Sequence, residues 1–258
     1  MARVLFASVL SLACAPDDPP LGKAPFLVLE GFETTAPGQI PKGYLKTGEV
    51  AVVDGVAHTG RRSLRIEAKA NGPRRITLKG DPVTALGGQH WGRLFFKVQL
   101  PVPLPEGDVR VIHSTLVAGS ATSPLHDDPI EVRVLDTVLS KEGKVQYLYN
   151  VQPRKRPEFA KGSGYRFAFS DRWTLAEWSV DHATQTYRLF INGEEVKDAA
   201  FSKGAGKYEG AEIPAVFESL SFGWNNYQPA GPGVVAWIDD IALAKDRLGG
   251  RGIMLKKK

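Results

Sequence analysis

Polar and apolar residues alternate along this chain in short runs, and turn residues interrupt the runs at short intervals. Residues 63–68 read Ser-Leu-Arg-Ile-Glu-Ala, a period of two that sends one side inward and the other to solvent. The same reading predicts strands over 26–32, 49–53, 75–78, 91–100, 109–117, 130–135, 144–149, 173–180, 187–191, 218–224 and 234–244. Asn192-Gly193, between 187–191 and 194–196, is the strongest hairpin signal, because both residues tolerate the positive φ that a tight type I′ turn needs. No apolar stripe with helical spacing runs beyond two turns. About a dozen short strands with polar turns, no internal repeat and no second domain predict an all-β fold, an antiparallel two-sheet sandwich.

The ends of the chain depart from this pattern. Residues 1–14 have the layout of a signal peptide: Arg3 gives a positive start, and 4–12 form an apolar core too short to span a bilayer. Ala13 before Cys14 resembles a bacterial lipobox, with Ser11 where that motif usually has leucine. An exported protein is expected, either a cell-envelope lipoprotein anchored at Cys14 or a secreted one. Residues 15–25 are rich in Pro and Asp and read as a tether. The folded domain is expected over 26–250, and 251–258, with three terminal lysines, reads as a solvated basic tail. Cys14 is the single cysteine, so the domain contains no disulfide.

Composition adds two points. Gly 27 and Pro 18 suit many turns, and 33 basic against 28 acidic residues leave a net charge of +5. That mild excess serves solubility or draws in an anionic polymer. No helix-turn-helix, zinc or RNP-type pattern points to nucleic acid. A nucleophile elbow, a P-loop, a dinucleotide fingerprint and a His-Glu-x-x-His helix are all absent. So is the Glu-x-Asp-x-x-Glu strand of retaining β-sandwich glucanases, which counts against glycoside hydrolysis.

Gly31-Phe32-Glu33 near the start, the segment 54–64 and Trp237-Ile238-Asp239-Asp240 near the end form a set with the chemistry of a calcium site. Ca²⁺ takes six to eight hard oxygens, and Glu33, loop oxygens around Thr59 and Arg62, and Asp239 and Asp240 would supply them. The plainer alternative is that Asp239 and Asp240 end a strand on its solvent face.

Five further segments follow in order: Trp173-x-x-x-Glu177-Trp178, the Asn192-Gly193 hairpin, Ser221-Phe222-Gly223-Trp224 with Tyr227, Trp237-Ile238-Asp239-Asp240, and Asp246-Arg247-Leu248-Gly249. Together with the Phe-Glu start, this order resembles the fungal cellulose-induced proteins and their bacterial relatives, and through them the glucuronan lyases. The resemblance spans about Leu29 to Gly250. It implies a concanavalin A-like jelly roll, a structural Ca²⁺ and a groove for an acidic polysaccharide. Separately, a monomer is expected, one that meets a membrane only through a lipid on Cys14 if that residue is modified. The resemblance also places the family's cysteine pair at about Leu175 and Gly250, where both cysteines are missing together.

Cleavage of a uronate polymer by β-elimination needs a base at C5, a positive partner for the carboxylate and an acid at the leaving oxygen. Arg133, Tyr149 and Tyr227 are the catalytic candidates. Alternation on Glu131-Val132-Arg133-Val134-Leu135 puts Arg133 on one face with Glu131 and Leu135. Glu131, Asn150, His113 and Trp224 complete the substrate-binding set. Plainer roles stand beside these: Arg133 as an ion-pair partner of Glu131 or Asp136, the tyrosines as unreactive platforms, His113 as a sheet histidine, Trp224 as core. The His126-Asp127-Asp128 and Arg154-Lys155-Arg156 segments read as solvated loops. The chain also departs from the resembled family. Glu131 stands where that family has a histidine, Thr137 falls near a glutamine position, and Arg74-Arg75 falls where a second histidine is expected. A non-catalytic carbohydrate-binding role is therefore the alternative to a lyase.

Overall fold

The computed structural model describes residues 26–122, 129–152, 157–202, 213–228 and 233–250. The leader with Cys14, the tether, the basic tail and the 126–128 and 154–156 segments lie outside the described residues. In chain order the strands are β1 (Val28–Glu30), β2 (Tyr44–Thr47), β3 (Val50–Asp54), β4 (Arg62–Ile66), β5 (Gly72–Lys79), β6 (Gln89–Val98), β7 (Val111–Ala121) and β8 (Ile130–Ser140). There follow β9 (Val145–Val151), β10 (Phe159–Gly162), β11 (Thr174–Asp181), β12 (Thr186–Ile191), β13 (Glu194–Glu195), β14 (Ser219–Asn226) and β15 (Ala236–Ala244). One helical turn, α1 (Asp81–Thr84), links β5 to β6. Among the described residues no helix is long and apolar enough to cross a membrane.

The strands form two antiparallel sheets. The first runs β13-β12-β11-β6-β15-β4-β3, with β1 also paired to β15. The second runs β10-β9-β8-β7-β14-β5-β2. Every strand expected from alternation is present. The two that the pattern missed, β2 and β10, are the edge strands of the second sheet. Edge strands need bury only part of one face, so their residues carry little alternation: β2 reads Tyr-Leu-Lys-Thr with three of four positions exposed.

Between the sheets lies one main core. Leu94, Phe96 and Val98 of β6 and Ala176, Trp178 and Val180 of β11 face Leu220, Phe222 and Trp224 of β14 and Tyr147, Tyr149 and Val151 of β9 across it. Trp178 and Trp224 are fully buried. An aromatic side chain buries about 150–250 Å², so each stabilises the sandwich by roughly 4–6 kcal/mol at ~25 cal/mol per Å². Gly92 is what makes room for one of them. It pairs with Trp178 across β6 and β11, and a Cβ there would collide with the indole.

The C-terminal segment docks on the outer face of the first sheet. Glu177 Oε1 accepts from Gly249 N at 2.6 Å, Arg93 Nη1 donates to Gly249 O at 2.6 Å, and Arg247 lies over the Phe190 ring at 3.7 Å. Here Gly250 stands against Leu175, its Cβ position 3.3 Å from a leucine methyl. These are the two positions at which the resemblance puts the missing cysteine pair. Hydrogen bonds to a buried glutamate hold the segment that a disulfide would otherwise tie.

His90 gives the fold a pH dependence. It is fully buried beside His182 and Phe217, and Trp178 Nε1 faces its Nε2 at 3.4 Å. Burial, then the charges of His182 and Lys245, pull its pKa down to about 3. An unfolded histidine titrates near ~6.5, so between about pH 6.5 and 3 the unfolded chain binds the extra proton. Stability is full above that window and falls as pH drops through it, by at most about 1.4 kcal/mol per pH unit from this group. Denaturant titrations between pH 7 and 4 should show this slope flattened in His90→Gln; an unchanged slope would assign the acid sensitivity to other groups.

Candidate functional site

The outward face of the second sheet gathers most of the expected site residues, and two bulges decide which. In β8 the pairing shifts between Arg133 and Asp136, so Val134 and Leu135 both turn into the core and Asp136 takes the outward position. In β7 the shift falls around Leu116, so Leu116 and Val117 both point inward and Thr115 and His113 point outward. The result is a polar cluster built from adjacent strands.

Arg133 is its centre. Its Nη1 donates to Asn150 Oδ1 at 3.0 Å, its Nη2 donates to Gln152 Oε1 at 3.1 Å, and the guanidinium lies 3.9 Å from the centre of the Tyr227 ring. It is 9% exposed, and among the described residues it pairs with no carboxylate. The Asn150 amide nitrogen Nδ2 donates in turn to Glu158 Oε1. Tyr227 is fixed at both ends. Its backbone N–H donates to His113 O at 3.3 Å, and its hydroxyl meets Thr115 Oγ1 at 2.9 Å and Glu131 Oε1 at 3.3 Å. Burial above all, and then the Glu131 carboxylate, push its phenol up to about 12. Thr115 Oγ1 also meets Asp136 Oδ1 at 2.9 Å. Asp136 is fully buried; its Oδ2 has no hydrogen-bond partner among the described residues and stands 3.7 Å from His113 Nδ1. Glu131 is neutralised from the other side by Arg75 Nη1 at 2.9 Å.

Arg133, Tyr227, Glu131, Asn150 and His113 therefore meet on one face. Three expectations are corrected. Tyr149 is fully buried between the sheets, its ring packed against Phe159, Tyr187 and Phe201, and it cannot reach a chain bound on the outer face. On a strand, neighbouring residues point to opposite sides, so Asn150 outward places Tyr149 inward. Trp224 is buried with Leu220 and Phe222, which share its phase on β14. Leu135 shares the core rather than the face of Arg133, because of the bulge. Asp136, Thr115, Gln152 and Arg75 complete the face. Of these, Arg75 carried a signal, at the position where a family histidine is missing, and Asp136 was named only as an ion-pair partner for Arg133.

The calcium set separates into two groups of contacts. In one, Glu33 Oε1 accepts from the backbone N–H groups of Arg61 and Arg62 at 2.8 and 2.7 Å. The Arg62 side chain donates from Nη1 to Glu33 O at 3.0 Å and to Thr35 O at 2.9 Å, and from Nε to Asp54 Oδ1 at 2.9 Å. In the other, Asp239 Oδ2 accepts from His58 N at 2.7 Å, while the Asp240 oxygens meet His58 Nδ1 at 2.6 Å and Thr59 Oγ1 at 2.8 Å. Burial and the neighbouring Asp240 push the Asp239 carboxyl up to about 7. An ion of this kind wants free oxygen lone pairs converging on one point. Glu33 Oε1 and the oxygens of Asp239 and Asp240 instead face N–H and O–H donors, and among the described residues no three of His, Cys, Asp and Glu stand close enough to hold a metal. The residues present do not fit Ca²⁺.

Two antiparallel sheets in this order, with a last strand central to one of them, make a concanavalin A-like jelly roll. The structure is similar to the cellulose-induced protein Cip1, with 14% identity, coverage of 87% of this chain and 100% of that chain, and a TM-score of 0.56. It is similar also to an endo-β-1,4-glucuronan lyase from the fungus Trichoderma reesei, with 12% identity, coverage of 86% and 96%, and a TM-score of 0.58. The binding domain of botulinum neurotoxin serotype G gives a TM-score of 0.50 at 8% identity, over 87% of this chain and 49% of that one. No family model matches the chain, and no curated protein matches it in sequence. At such identities the likeness is one of fold, and function rests on the site.

Proposed function

We propose that the outer face of the second sheet binds an acidic, uronate-containing polysaccharide and that the protein acts on it by β-elimination. The observation that carries this reading is Arg133, whose guanidinium is oriented by two neutral amides and an aromatic ring while no described carboxylate touches it. A fixed guanidinium that pairs with no carboxylate among the described residues matches a uronate carboxylate, and the Tyr227 ring beside it offers a sugar a flat surface. The likeness to a glucuronan lyase supports the reading at the level of fold. The leader read at 1–14 would put the protein outside the cytoplasm, where such polymers are met.

In the elimination, a base takes the C5 proton, the C4–O bond breaks, a C4=C5 double bond forms and the leaving oxygen gains a proton. Arg133 stabilises the charge that builds on the carboxylate. Tyr227, with its raised pKa, carries its proton at neutral pH, which suits it to protonate the leaving oxygen. His113, outward on β7 and backed by Asp136, is the residue left to take the C5 proton.

A second reading, binding without cleavage, is favoured by the burial of Tyr149, which removes one of the expected reactive groups. One experiment separates the two. The protein is incubated with glucuronan, alginate and a neutral glucan, and both the unsaturated-uronate absorbance and retention on each polymer are followed. Elimination predicts rising absorbance on a uronate polymer, lost in Tyr227→Phe while retention persists. Retention with flat absorbance selects the binding role. Neither signal on either uronate polymer overturns both.

A further inference from the structure

We propose that the Arg62 guanidinium replaces the structural calcium ion in this chain, so that an organic cation ties the segment after β1 to β3 and β4 and the fold is independent of calcium. Arg62 opens β4, where it pairs with Asp54 at the end of β3. From there its side chain reaches the segment that follows β1. One nitrogen, Nη1, serves two main-chain carbonyls, Glu33 O and Thr35 O, and Nε serves the Asp54 carboxylate. Two carbonyl oxygens and a carboxylate are the ligand types a hard cation collects. Here they converge on a planar, permanently charged group with five donors.

The surrounding carboxylates are committed in the same sense. Glu33 binds the backbone N–H groups at 61 and 62, and this close approach requires Gly60, whose φ is +68° and whose Cβ position lies 2.5 Å from the Glu33 carboxylate. Asp239 and Asp240 bind His58 and Thr59. Glu33 Oε1 and the side-chain oxygens of Asp239 and Asp240 thus already face proton donors. The Arg62–Asp54 pair itself is well exposed, so its charge attraction alone is weak. The strength lies in the half-buried carbonyls, which the guanidinium satisfies and which would otherwise need another cation or water.

The test is thermal unfolding of the full chain after dialysis against EDTA, with and without millimolar CaCl₂, together with metal analysis after dialysis against calcium. The proposal expects coincident midpoints and no stoichiometric calcium. A midpoint raised by calcium, or one calcium ion per chain, overturns it. Arg62→Ala should lower the midpoint by about 4–8 °C, and Arg62→Lys should restore part of the loss. An Arg62→Ala midpoint equal to wild type also overturns the proposal. If that variant does not fold, the wild-type comparison decides alone.

Discussion

Replacing Arg133 with alanine should weaken retention on a uronate polymer by roughly thirty- to several-hundred-fold. Truncating one partner of a desolvated charge pair costs about 2–4 kcal/mol in binding, and each 1.4 kcal/mol is about tenfold in affinity. The effect is expected to be this large because Arg133 is nearly enclosed, so its charge is little screened by water. Its orientation is also set in advance by Asn150 and Gln152. Arg133→Lys should recover only part of the loss, since an ammonium cannot reproduce the planar contact with Tyr227. Arg75→Ala is the control. Arg75 is already neutralised by Glu131, so its removal should change affinity only a few-fold. Affinity electrophoresis through gels containing glucuronan measures all three. Equal mobility of wild type and Arg133→Ala, with unchanged thermal midpoints, would remove Arg133 from the site.

The largest loss of stability is expected at Arg74, next to that face but inside the sandwich. Arg74 pairs with Trp224 in register and is fully buried, and burial pulls its guanidinium down to about 10. Its Nη1 donates to the carbonyls of Glu67 and Lys69 at 3.0 and 2.9 Å, and its Nη2 donates to the Asn226 side chain. Asn226 in turn donates to Ser114 Oγ at 3.2 Å. This one side chain thus ties the β4–β5 connection to β14 and, through Asn226, to β7. Arg74→Leu keeps the apolar volume but leaves three acceptors without a donor. A loss of about 3–5 kcal/mol follows, or a fall in Tm of roughly 6–20 °C for a domain of this size. Chemical denaturation gives the first number and calorimetry the second; a loss under about 1 kcal/mol would mean that water replaces the guanidinium.

Much of this architecture was legible because a sandwich buries one face of every strand, and the period of two survives in the sequence. The site was only half legible, for reasons that lie in particular residues. Glu131 and Arg133 share a phase, and alternation alone puts them together. Asp136 cannot be placed by alternation, because the bulge after Arg133 inserts an extra inward residue and reverses the phase of all that follows. Thr115 is hidden in the same way by the irregularity at Leu116. Tyr149 and Trp224 are different, since their phase was readable. Tyr147, Tyr149 and Val151 form one apolar series, and Leu220, Phe222 and Trp224 another. Both lie in segments matched to the resembled family, and that match runs against the alternation. Arg62 was legible only as part of the segment expected to supply loop oxygens. Its contacts with Glu33 and Thr35 depend on the loop conformation, which no local pattern specifies.

The position of β15 bears on how the molecule is made. The last strand lies between β6 and β4 and also holds β1, so three neighbours in the first sheet wait for it. Without β15, β3 and β4 would lie on one side of that sheet and β6, β11 and β12 on the other, with no strand pairing between them. Such sequence-distant pairing makes closure slow and cooperative. One strand therefore seals the two halves of this sheet, and removing it would part the sheet down its middle.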